Sequence, residues 1–231
     1  NSVCSVGDKC TSGTCLPGPL VTCDDSNPCT TDSCDPATGC KYVANTLLLT
    51  YISFWNGVGA RLGETFGNIR MEDLKRGVTA DNCISTWGSY VSNGAGGSCF
   101  GKDIQSLIYQ LKTAGQPTDM LQSVYHINEF QKTYLLDRAT REAGARFNQK
   151  KVALLGLAFK QRTNDMRDAS SLKVVETLLA RGVSEIRAYD PVAVDEAKRF
   201  FNPEQNHLFA KITYHNSAKE ALAGTDMLFI S

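Results

Sequence analysis

The nine cysteines of this 231-residue chain are spaced so unevenly that the chain must consist of two unlike parts. Seven stand at positions 4, 10, 15, 23, 29, 34 and 40, leaving only Cys83 and Cys99 for the remaining four-fifths. Residues 1–40 are otherwise rich in Gly, Pro, Asp, Ser and Thr with almost no apolar periodicity, so they cannot bury a core and need staples. Disulfides are the natural staple for such a stretch. The spacing C-x5-C-x4-C occurs at Cys4, Cys10 and Cys15 and again 19 residues later at Cys23, Cys29 and Cys34, followed by Cys40, an internal repeat. The odd total fits a first unit without its leading cysteine. Zinc is the rival use of these thiols, but no C-x-x-C pair and no nearby His supports it. The acidic loops lack a full oxygen set for calcium, so no metal site is expected.

The rest of the chain has a different texture. With 42% hydrophobic residues, 9% aromatic residues and a formal net charge of zero, nothing calls for a nucleic-acid or membrane partner. The longest apolar run, residues 46–55, is too short to span a bilayer and is interrupted by Thr50 and Ser53. His126, His207 and His215 are scattered singly and carry no assigned chemistry. No signal peptide is visible, and the start at Asn1 rather than Met reads as a fragment or a cut edge.

Two segments carry chemistry. Gly96-Gly97-Ser98-Cys99-Phe100-Gly101-Lys102-Asp103 puts a thiol, a cation and a carboxylate on one glycine-hinged turn. A Cys is a nucleophile only as the thiolate, which a helix N-terminus or a neighbouring Lys such as Lys102 stabilises. Asp103 opens the apolar-periodic series Ile104, Leu107, Ile108 and Leu111, so it is expected to cap a helix and to polarise a water near the thiol. The plainer alternative makes Cys99 a small buried apolar residue and Asp103 a cap only. Further on, residues 152–159 read as a buried strand. A polar loop, Thr163-Asn164-Asp165-Met166-Arg167-Asp168, and an amphipathic helix over residues 170–181 follow, the opening of a doubly wound pattern whose loop holds anions.

Together these segments resemble the UDP-glucose/GDP-mannose dehydrogenase family, marked by a G-G-S-C-F-x-K-D turn and a G-x-A-F-K-x-x-T-x-D-x-R strand and loop. Here the second motif reads Gly156-Leu157-Ala158-Phe159-Lys160-Gln161-Arg162-Thr163-Asn164-Asp165-Met166-Arg167. The stretch from Lys41 through Asn45 to Asn56 is similar to the family helix K-x-x-x-N-x-x-L-A-x-x-I-S-F-x-N. The resemblance runs from Lys41 to Ser231, with Ser98-Cys99-Phe100 and Lys102-Asp103-Ile104-Gln105-Ser106-Leu107 closest to the UDP-glucose branch rather than the UDP-N-acetylmannosamine or GDP-mannose branches. The unit Cys23-Asp24-Asp25-Ser26-Asn27-Pro28-Cys29 and its continuation to Cys40 resemble short repeats of bacterial secreted and surface proteins.

The resemblance implies an NAD-dependent oxidation of the C6 alcohol of a UDP-hexose to a carboxylate, UDP-glucose to UDP-glucuronate, in two hydride transfers. Cys99 would form a thiohemiacetal and then a thioester. Lys41 would stabilise an oxyanion, Asn45 would position sugar or oxyanion, and Asp103 would help activate water. Substrate binding would fall to Lys41, Asn45, Tyr90, Gly94, Gly96, Phe159 and Lys160, and the cofactor would meet Cys99, Lys102 and Arg167. The family's own dinucleotide-binding domain, with its G-x-G-x-x-G turn, has no counterpart among these residues, so the chain is expected to be inactive alone. Two positions depart from the family pattern: Cys83 stands where an Arg is usual, and Ala95 where an aromatic residue is common.

UDP-sugars and NAD imply the cytoplasm, whereas paired cysteines imply an oxidising compartment. That conflict points to a joined reading frame or an engineered fusion, or to a secreted cysteine-repeat interaction protein with a passenger dehydrogenase segment. The expected fold is α/β in three stretches. Residues 1–40 form an irregular disulfide-rich segment, residues 41–149 a helical layer that mediates a homodimer, and residues 150–231 a partial Rossmann-like parallel sheet. Strands are predicted over residues 152–158, 185–190, 212–214 and 227–230, with an open sheet edge.

Overall fold

The apolar periodicity after residue 40 resolves into helices first and a sheet second. The computed structural model describes the backbone at residues 9–11, 14–16, 34–35 and 39–231, with side chains from residue 43 onward. The expected disulfide staples of residues 1–40, and the side chain of Lys41, lie outside the described residues. Two short antiparallel ladders precede the helices: β1 (Lys9–Thr11) with β2 (Thr14–Leu16), and β3 (Cys34–Asp35) with β4 (Gly39–Cys40).

Helix α1 (Lys41–Phe54) has neither Gly nor Pro and places Leu49 and Ile52 on its buried face. It runs into a π turn, Trp55–Gly59, and then α2 (Ala60–Phe66), which stops at Gly67 in the left-handed conformation. The wider turn faces buried Asn56 onto the segment before the thiol: Asn56 Oδ1 accepts from the Ser92 amide at 2.8 Å. After α3 (Met71–Val78) and an irregular stretch come α4 (Phe100–Thr113) and the 25-residue α5 (Asp119–Ala143). Leu49, Ile52, Ala95, Ile104 and Val124 form the small core among α1, α4 and α5.

The second unit is a four-stranded parallel sheet in the order β7-β6-β5-β8, from β5 (Lys151–Leu155), β6 (Glu185–Tyr189), β7 (Ile212–Tyr214) and β8 (Met227–Ile230). Connecting helices α6 (Ser170–Ala180), α7 (Val194–Phe200) and α8 (Ala218–Leu222) supply the crossovers that parallel strands require. Val152, Leu154, Val174, Val175, Leu178 and Ile186 are fully or almost fully buried between sheet and helices, each worth about 1.5–3 kcal/mol by area burial. The first strand is shorter than the predicted 152–158. Gly156, at φ +90, turns the chain as its amide crosses to Tyr189 O at 2.9 Å, and a Cβ there would lie 2.9 Å from the Ser231 carbonyl oxygen. Strand β8 forms one edge of the sheet, with Leu228 and Ile230 exposed.

Candidate active site

The thiol turn sits where the helical unit meets the sheet unit. Gly94 and Gly97 adopt φ +86 and +89, values only glycine takes without strain, and Gly97 lies so close to Phe159 that a Cβ would come within 2.9 Å of its ring. A Cβ at Gly96 would collide with the Asp168 carbonyl oxygen. These glycines therefore serve close packing against the β5–α6 loop. The Gly97 amide donates to Arg167 O at 2.8 Å, and Ser170 Oγ donates to Asn93 O at 2.7 Å.

Cys99 is exposed and occupies the N-cap of α4; its carbonyl accepts the first helical bond from the Asp103 amide at 2.9 Å. The expectation that Asp103 caps the helix is overturned, because the helix begins three residues earlier at Phe100. Asp103 lies inside the first turn, only 2% exposed, on the same face as Cys99. Its Oδ2 accepts from Asn45 Nδ2 at 2.5 Å, and its Oδ1 lies 2.9 Å from Lys102 Nζ. The lysine expected to support the thiolate is thus also paired with the neighbouring carboxylate. Arg167 lies near enough to Cys99 to feel its charge. Its guanidinium binds Asp165 through Nη2 at 2.8 Å; that bond chiefly, and the charge of Cys99 more weakly, raise its pKa. The same Arg167 bond holds the Asp165 carboxyl below its ordinary range.

A cleft of about 490 Å³ opens beside this turn, at the carboxyl end of β5, the usual place for a ligand on a parallel sheet. Gly94, Phe159, Lys160, Thr163, Asp190 and Ser231 are among its lining residues. Lys160 Nζ lies 5.1 Å from the Phe159 ring centroid. Of the residues singled out from sequence, Asn45, Cys99, Lys102, Asp103 and Arg167 thus gather at the thiol. Gly94, Phe159 and Lys160 line the cleft, and Gly96 and Gly97 join the two. Tyr90 is half exposed and lines neither. The backbone of Lys41 opens α1 one turn before Asn45.

Sequence reasoning missed the supports. Buried Asn128 on α5 clasps Ala95 at both ends, accepting its amide at 2.7 Å and donating to its carbonyl at 3.0 Å. Gln131 donates to Ser92 O at 2.7 Å. Asp190, just past β6, accepts from the amides of Leu157, Ala158, Val192 and Ala193. Burial alone would raise its pKa, but these four donors prevail and hold it below the ordinary value. The one available signal was Tyr189-Asp190-Pro191 at the end of a predicted strand. No group of three or more His, Cys, Asp or Glu that could hold a metal occurs among the described residues, and no described helix is long and apolar enough to cross a membrane.

Comparison with known proteins adds an independent line. Residues 36–130 match the central domain of the UDP-glucose/GDP-mannose dehydrogenase family and residues 153–231 its UDP binding domain. Residues 22–44 match a Dictyostelium (slime mold) repeat, which gives the cysteine segment a relative other than the bacterial repeats expected. A UDP-glucose 6-dehydrogenase of Pseudomonas aeruginosa is 39% identical over 82% of this chain and 41% of its own length. The UDP-glucose 6-dehydrogenase YwqF of Bacillus subtilis is 35% identical over the same shares. The solved UDP-glucose dehydrogenase of Pyrobaculum islandicum superposes with a TM-score of 0.72 at 28% identity, covering 82% of this chain and 41% of that one. The chain therefore spans about two-fifths of the length of the relatives it matches.

Proposed function

Because this chain belongs to the UDP-glucose/GDP-mannose dehydrogenase family through its central and UDP binding domains, we propose that it holds UDP-glucose and supplies the thiol for oxidation of the sugar C6 alcohol to a carboxylate. The observation that carries the reading is an exposed thiol at the N-cap of α4, with half-buried Asn45 bonded to buried Asp103 one turn further along and the cleft across Gly97. NAD, when bound, supplies the hydride acceptor for both oxidations. Arg167 fits its diphosphate, being exposed and anchored beside Cys99. The glycine turn does not fit as a phosphate cradle, since Phe159 and Asp168 fill the space behind Gly97 and Gly96.

This chain's residues handle the carbon. The Cys99 sulfur adds to the C6 aldehyde, an S–C bond forms, and the carbonyl oxygen takes the thiol proton. Lys41 and Asn45 stabilise that oxygen while negative. After the second hydride leaves C6 and the hydroxyl proton passes to solvent, water attacks the resulting thioester, the C–S bond breaks, the sulfur takes one proton of that water, and the carboxylate departs with the other released to solvent. Asp103, its oxygens fixed by Asn45 and Lys102, orients that water. Phe159 and Lys160 hold the nucleotide sugar in the cleft, and the helices of the first unit bring two copies together.

Iodoacetamide labelling read by peptide mass spectrometry tests the assignment, with exposed Cys83 as internal control. UDP-glucose is expected to slow labelling of Cys99 at least tenfold and to leave Cys83 unchanged. Equal labelling of Cys99 with and without UDP-glucose would sink the reading.

A further inference from the structure

Lys132 on α5 has no exposed side-chain surface. A desolvated ammonium needs counter-charges, and two carboxylates provide them: Glu129 Oε1 at 2.6 Å on the same helix and Asp168 Oδ1 at 2.5 Å from the β5–α6 loop. Asp168 holds a left-handed backbone at φ +53, a conformation that a non-glycine residue keeps only when its surroundings impose it.

The pair grips the thiol turn through its glycines. The Lys132 Cγ lies 3.1 Å from where a Cβ on Gly94 would stand, the Asp168 carbonyl oxygen presses on Gly96, and Asp168 Oδ2 lies 3.0 Å from a Cβ position on Gly101. Positions 94, 96 and 101 bracket Cys99 on both sides. Asn128, one helical turn before Lys132, fixes Ala95, and Arg167, beside Asp168, accepts from the Gly97 amide. The turn is therefore held from α5 on one side and from the loop on the other. The Lys132–Asp168 ion pair is a direct tie between those two sides.

We infer that Lys132 and Asp168 are positioning residues whose ion pair seats the Cys99 turn between α5 and the β5–α6 loop, making the thiol's place depend on the loop that lines the nucleotide cleft. The consequence for substrate rests on the reading of Cys99 given above; the seating itself does not. An ion pair whose ammonium is fully buried and whose carboxylate is partly exposed suits this task because its energy depends steeply on geometry, whereas an apolar contact of equal volume tolerates sliding.

Hydrogen exchange of the full chain, read by mass spectrometry, measures the seat without ligand. In Asp168→Asn, which keeps the shape and tolerates the left-handed backbone, amides of residues 94–101 should exchange at least tenfold faster, while β5 and residues 106–113 stay as in the wild type. Lys132→Met should do the same and Lys132→Arg should restore protection. If Lys132→Met loosens the whole molecule, Asp168→Asn decides alone, and unchanged exchange at residues 94–101 in that variant overturns the inference. UDP-glucose protection of Cys99 gives the second readout. A positioning role lowers the protection reached at saturation and leaves the half-protecting concentration unchanged. A shift in that concentration with full protection at saturation would instead put the pair in the sugar-nucleotide site and overturn it. Wild-type Cys99 that UDP-glucose fails to protect would sink the functional reading, and the exchange result would then judge the seat by itself.

Discussion

Asn128 shows how much of this site depends on a single side chain that performs no chemistry. Its amide satisfies both backbone groups of Ala95, a buried residue in a turn with no secondary structure of its own. Truncation leaves two buried polar groups without partners, each costing roughly 1–3 kcal/mol. Asn128→Ala is therefore expected to destabilise the chain by about 2–4 kcal/mol in urea unfolding; a loss below about 0.5 kcal/mol, the range of an ordinary surface substitution, would contradict the clasp. Cys99, Lys102, Asp103 and Asn45 were legible in the sequence because the motif fixes their spacing along one turn and one helix face. Asn128, Lys132 and Asp168 were not. In the polar stretch Asn128-Glu129-Phe130-Gln131-Lys132 nothing separates a buried amide and ammonium from a solvated helix face until the partner loop is in place.

At the scale of elements, strands β7 and β8 lie where the apolar runs predicted them, and α6 differs from its predicted span by one residue. Strand β5 ends early because of one backbone angle at Gly156, a feature that hydrophobic pattern does not encode. Tyr214 closes β7 with its hydroxyl buried and no hydrogen-bond partner among the described residues, and burial pushes its pKa up to about 12. The fold thus favours the neutral phenol. That stabilisation is complete below the ordinary tyrosine value of about 10 and is lost as pH rises from there through about 12. Tyr214→Phe removes the stranded hydroxyl, so the variant should be about 1 kcal/mol more stable than wild type at pH 7. The gap in urea midpoint between the two should widen between pH 10 and the upper value. A gap that stays constant with pH would show that the phenol is solvated.

The whole molecule presents a large apolar surface on its helical unit. Leu47 is 68% exposed, and Val43, Phe54 and Phe66 are all at least half exposed. Leu47, Leu48, Tyr51 and Trp87 also border a cavity of about 660 Å³. We propose that these exposed apolar residues form an interface, with a two-fold pair of like surfaces as its simplest cover. Light scattering under reducing conditions should give twice the 25.2 kDa chain mass, and Leu47→Lys should return it to a single chain; a wild-type monomer would refute the interface. The succession of a helical stretch and then a parallel sheet was legible from apolar periodicity together with the family resemblance. The way the two folded units share the thiol turn was not, because the bonds that join them link residues 70 and 77 positions apart, Gly97 to Arg167 and Asn93 to Ser170. Such distant pairs also set an order in time. Contacts with long sequence separation close late, so helices and sheet can each consolidate before the thiol acquires its surroundings. On a growing chain Cys99 emerges well ahead of Arg167 and Asp168, and until they arrive it is an ordinary surface thiol, open to any oxidant or electrophile that meets it.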